Sequence, residues 1–369
     1  MRRILVRVVS DAAETQIRPI PPDELTDLVE AIFVAAGCAA AEAAEVAAYL
    51  VDANLTGHDS HGVGLVPVYV NWMRAGWLHP GRSAEVVTDG GAFAVLDGHR
   101  GFGRTVANQA VALGVERAVE HGTCIVALRN SGHVGRVGGY AETALAAGLV
   151  SIHFVNVAQS PLVAPFGAVQ RRFSTAPMAI GVPLPDRPVV LDFATSLVAA
   201  GKVRVAAEGG KPVPPDALIA PDGRISGDPR VLFGESDRPG AAADGEGAIR
   251  AFGEHKGSGL ALMCELLGGA LTGGGCAGPP DAPRGLANGM LSIYISPDHV
   301  GTRAEFDRIG RDYLDWVLSA RPIDAATPVL APGDPEARMR AARAAGVPLA
   351  AGARAGIRRT AAELGVPAP

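Results

Sequence analysis

The sequence predicts an α/β protein in which helices from both ends of the chain form one unit and a strand-and-helix domain occupies the middle. Three observations predict this. Residues 22–75 carry the apolar spacing of amphipathic helices. Residues 92–155 alternate short apolar runs with helical stretches. The dinucleotide fingerprint GxGxxG is missing, since Gly98-x-x-Gly101-x-Gly103 and Gly132-x-x-Gly135-x-x-Gly138 have the wrong order, which argues against a Rossmann domain. At 369 residues the chain has room for two or three domains of about 100–200 residues. We place the helical domain in residues 1–80 and 300–369 and the α/β domain in 81–299.

Taken in order, residues 1–20 fit no element and read as an extension. Pro21-Pro22-Asp23 opens a helix in which Leu25, Leu28, Val29, Ile32 and Phe33 recur at helical spacing, and Gly37 closes it. A second, Ala-rich helix runs over 40–55, and a third over 66–75 ends at Gly76. Ala92 to Asp97 reads as a strand, 104–121 as a helix capped by Gly122, 123–128 as a strand, 137–147 as a helix and 149–155 as a strand. Residues 189–194 form an apolar strand that ends in polar residues. The Pro- and Gly-rich stretch 209–248 reads mostly as loop, with 234–248 a surface insert. A helix follows to about Leu271, with Leu260, Met263, Leu267 and Leu271 at helical spacing, then strand 291–295. The C-terminal helices, 303–319 among them, are expected to pack on the N-terminal ones.

Composition narrows the function. Apolar residues make up 48% and charged residues 19%, as in a soluble enzyme with a sizeable core. A net charge of −5 and no cationic cluster argue against a nucleic-acid partner. Arg7 and Asp11 interrupt the apolar start before it reaches the length of a signal peptide, and no apolar run approaches the roughly 18–20 residues of a membrane span. We therefore expect a cytoplasmic protein with no membrane partner. Cys38, Cys124, Cys264 and Cys276 form no CxxC pair, so neither a disulfide framework nor a zinc site is indicated.

Two polar clusters carry the chemistry. Gly57-His58-Asp59-Ser60-His61-Gly62-Val63-Gly64 sets two histidines, an acid and a hydroxyl between glycines at the end of a helix, with Pro67 and Tyr69 close behind. Arg129-Asn130-Ser131-Gly132-His133-Val134-Gly135-Arg136 follows an apolar strand, at the edge where α/β proteins bind ligands. Together they suggest one site. No GxSxG, HExxH or Walker loop is present, and no further ligand completes a tetrahedral metal set around His58 and His61. His153, mid-strand, reads as a satisfied core histidine. Trp72, Trp77 and Trp316 read as packing, and Lys202 and Arg204 suit either a surface or a cofactor-facing role.

These clusters, with Leu191-Asp192-Phe193-Ala194-Thr195-Ser196, His255-Lys256-Gly257 and Pro332-Gly333-Asp334-Pro335-Glu336, resemble the malate/L-lactate dehydrogenase family, which is unrelated to the Rossmann-type enzymes. The resemblance runs in order from about Pro22 to Val347 and is nearest in pattern to hydroxycarboxylate dehydrogenases. It implies a non-Rossmann mixed sheet beside the helical domain, a homodimer, and NAD or NADP bound between the domains, with NAD favoured. It places the cofactor on Asn156, Val189, Val190, Leu191, Asp192, Phe193, Ala194, His255, Lys256, Gly333, Asp334 and Arg338. Lys256 and Arg338 would offset pyrophosphate charge, and Asp192 would accept from ribose hydroxyls.

The implied reaction moves a hydride between a nicotinamide and a small 2-hydroxy acid or 2-oxo acid, and a histidine suits the accompanying proton exchange near neutral pH. His61 and His133 are the catalytic candidates, His61 preferred as proton donor and acceptor, with Ser60 or Asp59 orienting it. Arg136 is the candidate carboxylate clamp, joined by Tyr69 and Leu65 at the substrate. Ser174-Thr175-Ala176-Pro177 replaces the usual Gly-Thr-Asn-Pro, removing an amide that helps set the site, and Leu65 stands where many members have arginine, so a less polar substituent on the substrate is expected. The alternatives are a cyclic imine carboxylate reductase, a metal-dependent hydrolase or lyase built on His58, His61 and His133, and a dinucleotide-binding protein without catalysis.

Overall fold

The computed structural model describes residues 18–207, 211–234, 245–278 and 287–368. It opens with α1 (Pro22–Ala35) and α2 (Ala40–Leu55), whose facing stripes, Leu25, Val29, Ile32 and Phe33 against Val46, Ala47 and Leu50, are buried as the spacing predicts. Two 3₁₀ turns, Asp59–His61 and Val63–Leu65, carry the chain into α3 (Val66–Arg74). Then come β1 (Glu85–Asp89), β2 (Phe93–Asp97), α4 (Gly103–His121), β3 (Thr123–Ser131), α5 (Gly138–Ala146) and β4 (Val150–Ala158). Gly122, at φ +90°, ends α4 in the left-handed conformation that glycine allows.

Next are β5 (Val163–Ala164), β6 (Pro177–Val182), β7 (Val189–Ala194), α6 (Ala200–Ala207), β8 (Leu218–Ile219), β9 (Ile225–Ser226), α7 (Arg230–Phe233) and β10 (Ala248–Arg250). The last elements are α8 (His255–Cys264) with a π turn at Glu265–Ala270, β11 (Ala287–Ile295), α9 (Pro297–Val300), α10 (Arg303–Leu318), α11 (Asp334–Arg343) and α12 (Ala351–Glu363). The main sheet has the order β1-β2-β3-β11-β4-β6-β7, with β2 and β3 parallel and every other neighbouring pair antiparallel. It is the mixed, non-Rossmann sheet expected. Late-arriving β11 runs between β3 and β4 and is buried along most of its length. Strand β7 lies at the open edge.

The ends of the chain do meet. Ile20 and Val347 exchange backbone hydrogen bonds of 3.0 and 2.8 Å, α11 packs on α2, and α12 packs on α3. Helix α10, however, does not join the N-terminal helices. Arg303 donates to the Gly148 carbonyl at 3.0 Å, and Gly310 leaves room for Leu184, so α10 rests on the α/β domain. Its apolar residues Ile309, Tyr313 and Trp316 are 53%, 64% and 69% exposed.

Two further expectations change. The stretch read as loop over 209–248 contains β8, β9 and α7, which with β5 and β10 build a small sheet around Leu218, Leu232, Phe233 and Ile249. Two-residue strands leave no alternation to read. Residues 1–17 and 235–244, read as an extension and an insert, lie outside the described residues. In α8 and its π turn the buried face is Gly257, Ser258, Ala261, Cys264, Glu265 and Gly268, while Leu262, Met263, Leu266 and Leu271 face outward.

His153 is fully buried in β4, between the Ser292 Oγ at 2.9 Å from Nδ1 and the Ser151 Oγ at 3.1 Å from Nε2. Burial pushes its pKa down to about 3. Below pH 6.5 the unfolded chain takes up a proton that the folded chain refuses, so this contribution is complete above pH 6.5 and is lost as pH falls toward 3, at about 1.4 kcal/mol per pH unit. In His153→Gln the urea midpoint should fall less steeply between pH 6.5 and 4.5 than in wild type; parallel curves would refute the assignment.

Candidate active site

The first histidine loop is folded around Asn54, buried on the last turn of α2. Its Oδ1 accepts from the Val63 N–H at 2.8 Å and its Nδ2 donates to Asp59 Oδ1 at 2.7 Å. A Cβ on Gly62 would lie 2.1 Å from that Oδ1, so only glycine fits there. Asp59 also pairs with Arg343 of α11 at 2.7 Å. It therefore braces the loop and does not orient His61. That task falls to Ser60, whose Oγ is 3.1 Å from His61 Nδ1. His58 turns away, toward Glu336 at 3.3 Å.

The second loop is held from three sides. Val134 donates its N–H to Asn288 Oδ1 on β11 at 2.9 Å. The Val134 carbonyl accepts from Tyr49 of α2 at 3.0 Å and from Tyr140 of α5 at 2.8 Å. A Cβ on Gly103 would sit 2.1 Å from the His133 carbonyl oxygen, so the start of α4 can touch this backbone only as glycine. Asn54, Tyr49 and Asn288 were not read from sequence. A buried asparagine inside the apolar β11 run was the one available signal.

The two loops bring their imidazoles together, with 5.7 Å between the centroids of His61 and His133 and 7° between the ring planes. Desolvation pushes His133 down to about 4. Desolvation pushes His61 down to about 3, helped by the charges of His133, His58, Lys202 and Arg136. Both rings are therefore neutral at neutral pH. Tyr69 stands 2.7 Å from His133 Nδ1, and burial holds its phenol well above the ordinary range. A buried phenol with one partner donates to it, because accepting would leave its own proton unpaired. His133 is thus kept as the Nε2–H tautomer.

The remaining predicted residues divide sharply. Arg136 is buried, and its guanidinium is engaged by Glu142, by Asp52 at 3.4 Å and by Asp192 at 3.7 Å. It is not open to clamp a substrate carboxylate. Asp192 accepts from the Gly138 N–H at 2.9 Å, and burial pushes its pKa up; its carboxylate is not presented to a ribose. Asn156 is fully buried, its amide spent on Glu265 at 3.0 Å, the Gly275 carbonyl at 2.9 Å and the Gly289 N–H at 3.2 Å. Sequence alone shows neither which acids close on Arg136 nor that Asn156 faces the core. Leu65 is half-buried against the helical core, and Tyr69 is committed to His133.

The other cofactor candidates lie along the open edge. Val189, Val190, Leu191, Phe193 and Ala194 are all half-buried in β7. Gly333 folds beside Val190, whose N–H meets the Pro332 carbonyl at 3.3 Å, and Asp334 pairs with Arg187 at 2.7 Å. Past the strand's other end, the Phe252 N–H meets the Thr195 carbonyl at 3.0 Å and leads to the exposed His255 and Lys256. Arg338 is exposed on α11. A half-open edge strand with a glycine turn at one end and cations at both fits an extended, anionic dinucleotide. Among the described residues no three His, Cys, Asp or Glu side chains converge as metal ligands.

A neutral imidazole pair in a fold with such an edge suits an oxidoreductase that moves a proton alongside a hydride. The chain belongs to the malate/L-lactate dehydrogenase family, whose pattern matches residues 20–357. It is 41% identical over 348 residues to hydroxycarboxylate dehydrogenase B of Escherichia coli, covering 93% of each chain. It is 40% identical over 258 residues to L-lactate dehydrogenase of Cupriavidus necator, covering 69% of this chain and 71% of that one. The solved structure of a suspected malate/lactate dehydrogenase from E. coli superposes with a TM-score of 0.88 at 40% identity, covering 95% and 96% of the two chains.

Tyr69→Phe should release the His133 tautomer. Side-chain ¹⁵N spectra should show protonation shifting from Nε2 toward Nδ1, with turnover reduced about 10-fold, the scale of one lost hydrogen bond. An unchanged spectrum would remove Tyr69 from this role.

Proposed function

We propose that the protein is a nicotinamide-dependent oxidoreductase that interconverts a 2-hydroxy acid and the corresponding 2-oxo acid. The observation that carries this is the convergence of His61 and His133 within 5.7 Å. His133, fixed with its Nε2–H outward, donates a hydrogen bond to the substrate's C2 oxygen and holds it in place. His61 exchanges the proton. The Ser60 hydroxyl can donate to His61 Nδ1 or accept from it, so His61 is satisfied in either tautomer and its Nε2 can take up or release a proton. In oxidation the hydroxyl proton passes to His61 as the C2 hydrogen departs with its electron pair; reduction is the reverse. The dinucleotide, when bound, supplies the hydride acceptor or donor.

The residues that hold the dinucleotide are, on this reading, 189–194 along β7, with Gly333, Asp334 and Arg338 near one end and His255 and Lys256 near the other. Asp192 takes part through its backbone. NAD is favoured over NADP. All four cysteines are free thiols, three of them buried, which suits the cytoplasm. Among the described residues no helix is long and apolar enough to cross a membrane.

The decisive experiment is a spectrophotometric screen of 2-oxo acids with NADH and NADPH. His61→Ala and His133→Ala should each lower turnover of the best substrate by about 10²–10⁴, the range for losing general acid–base help. A near-normal rate in either variant removes that residue from the mechanism.

We further infer a homodimer. Ile309, Tyr313 and Trp316 form an apolar stripe on α10 that is exposed among the described residues, and Leu262, Met263, Leu266 and Leu271 form another on α8 and its π turn. Contiguous apolar surface of this kind marks an interface. Light scattering should give twice the chain mass for wild type and the single mass for Trp316→Glu; a monomeric wild type would contradict the assembly.

A further inference from the structure

Resting on the hydroxy-acid reading above, a question of charge remains. A 2-oxo acid brings a carboxylate to the histidine pair, and burying it there needs a cation. Among the side-chain cations whose fields reach His61, apart from the histidines, are Arg136 and Lys202. Arg136 is inaccessible and already shared by three carboxylates. Lys202 differs on both counts. It is exposed, and among the described residues its ammonium has no ion pair or hydrogen bond.

Its position is fixed by backbone contact. Gly201, its neighbour in the first turn of α6, lies against Ser60 so closely that an added Cβ would stand 2.8 Å from the Ser60 Cβ and 3.5 Å from the Ser60 Cα. The start of α6 is thereby docked on the loop that carries His61. That fit requires glycine, and it sets the root of the lysine one residue from the proton-exchanging pair.

We propose that Lys202 is the carboxylate-binding residue of the substrate site, and that the site takes 2-oxo acids with a single carboxylate. A dicarboxylic substrate would need a second open cation at the pair, and Arg136 cannot serve. Lys202 binds the C1 carboxylate through its ammonium, while His133 and His61 meet the C2 oxygen. The same charge chemistry would suit a dinucleotide phosphate, so the experiment must separate the two.

Oxamate, an isostere of a small 2-oxo monocarboxylate, is titrated by calorimetry into wild type, Lys202→Met and Lys202→Arg, each saturated with the dinucleotide it binds; NADH and NADPH are titrated separately. Oxamate affinity should fall about 10- to 100-fold in Lys202→Met, the loss expected for one hydrogen bond to a charged group, and recover in part in Lys202→Arg. Dinucleotide affinities should stay within about 2-fold. In turnover, KM for the best 2-oxo acid should rise by the same factor as oxamate affinity falls, and monocarboxylates should outperform dicarboxylates. Removing a positive neighbour should also raise the pKa of His61 in the NMR titration. Equal oxamate affinity in wild type and Lys202→Met, no oxamate binding by wild type, or weakening confined to the dinucleotide would each overturn the assignment. Absence of turnover with every 2-oxo acid, while oxamate binding still depends on Lys202, would instead count against the hydroxy-acid reading.

Discussion

The buried guanidinium of Arg136 is the contact on which the site's geometry depends. It lies three residues after His133 and draws together Asp52 on α2, Glu142 on α5 and Asp192 on β7. One cation thus ties the helical domain, a helix packed on the main sheet and its edge strand at a single point. Breaking a buried ion pair from one side costs about 3–5 kcal/mol in general, because the stranded charge stays desolvated. Asp52 and Glu142 keep partial access to water, which trims their share, but Asp192 has almost none. Loss of the guanidinium would remove the ionic link from the His133 loop to β7 and leave the Tyr49 hydroxyl to tie that loop to α2.

That anchoring works because backbone meets backbone on either side of it. Gly103 against His133 and Gly132 against the Gly101 carbonyl are such approaches, Gly62 against the Asn54 side-chain amide is a further close one, and a single methyl would prevent each. Side chains then close the remaining freedom: Tyr49 and Tyr140 share one carbonyl, and Tyr69 fixes one ring. A ring held this way loses little entropy on meeting substrate, which is the physical content of preorganisation.

Much of this was legible in the chain, and the limits are instructive. The helices of 22–75, the α4–β3–α5–β4 run and the two histidine loops were readable because local spacing and glycine stops encode them. Strand β11 was recognised as a strand, but nothing in its own sequence says that it enters between β3 and β4, which is a matter of topology. The satellite sheet was missed because two-residue strands carry no period. Arg136 was read as a clamp because sequence reports a residue's chemistry and not its neighbours; three acids from distant segments decide its role. Asn156 was misplaced for the same reason, its amide being consumed by Glu265. The outward stripe of α10 was read as inward because periodicity marks an apolar face without saying what covers it.

The pattern of charges around the pair explains how neutral imidazoles can still do proton chemistry. Asp59 is neutralised by Arg343, Asp52 by Arg340 and Arg136, Asp192 by Arg136, and Glu336 faces His58. Each of these carboxylates is thus paired elsewhere, while Lys202 and Arg136 oppose an imidazolium on His61. The free site therefore favours an arriving anion over a proton. Once an anionic substrate is in place, its charge offsets those neighbours and the proton on His61 becomes less costly. On the proposed mechanism, proton readiness is thereby tied to occupancy: the ring would become a competent donor or acceptor at the moment a carboxylate-bearing substrate lies beside it.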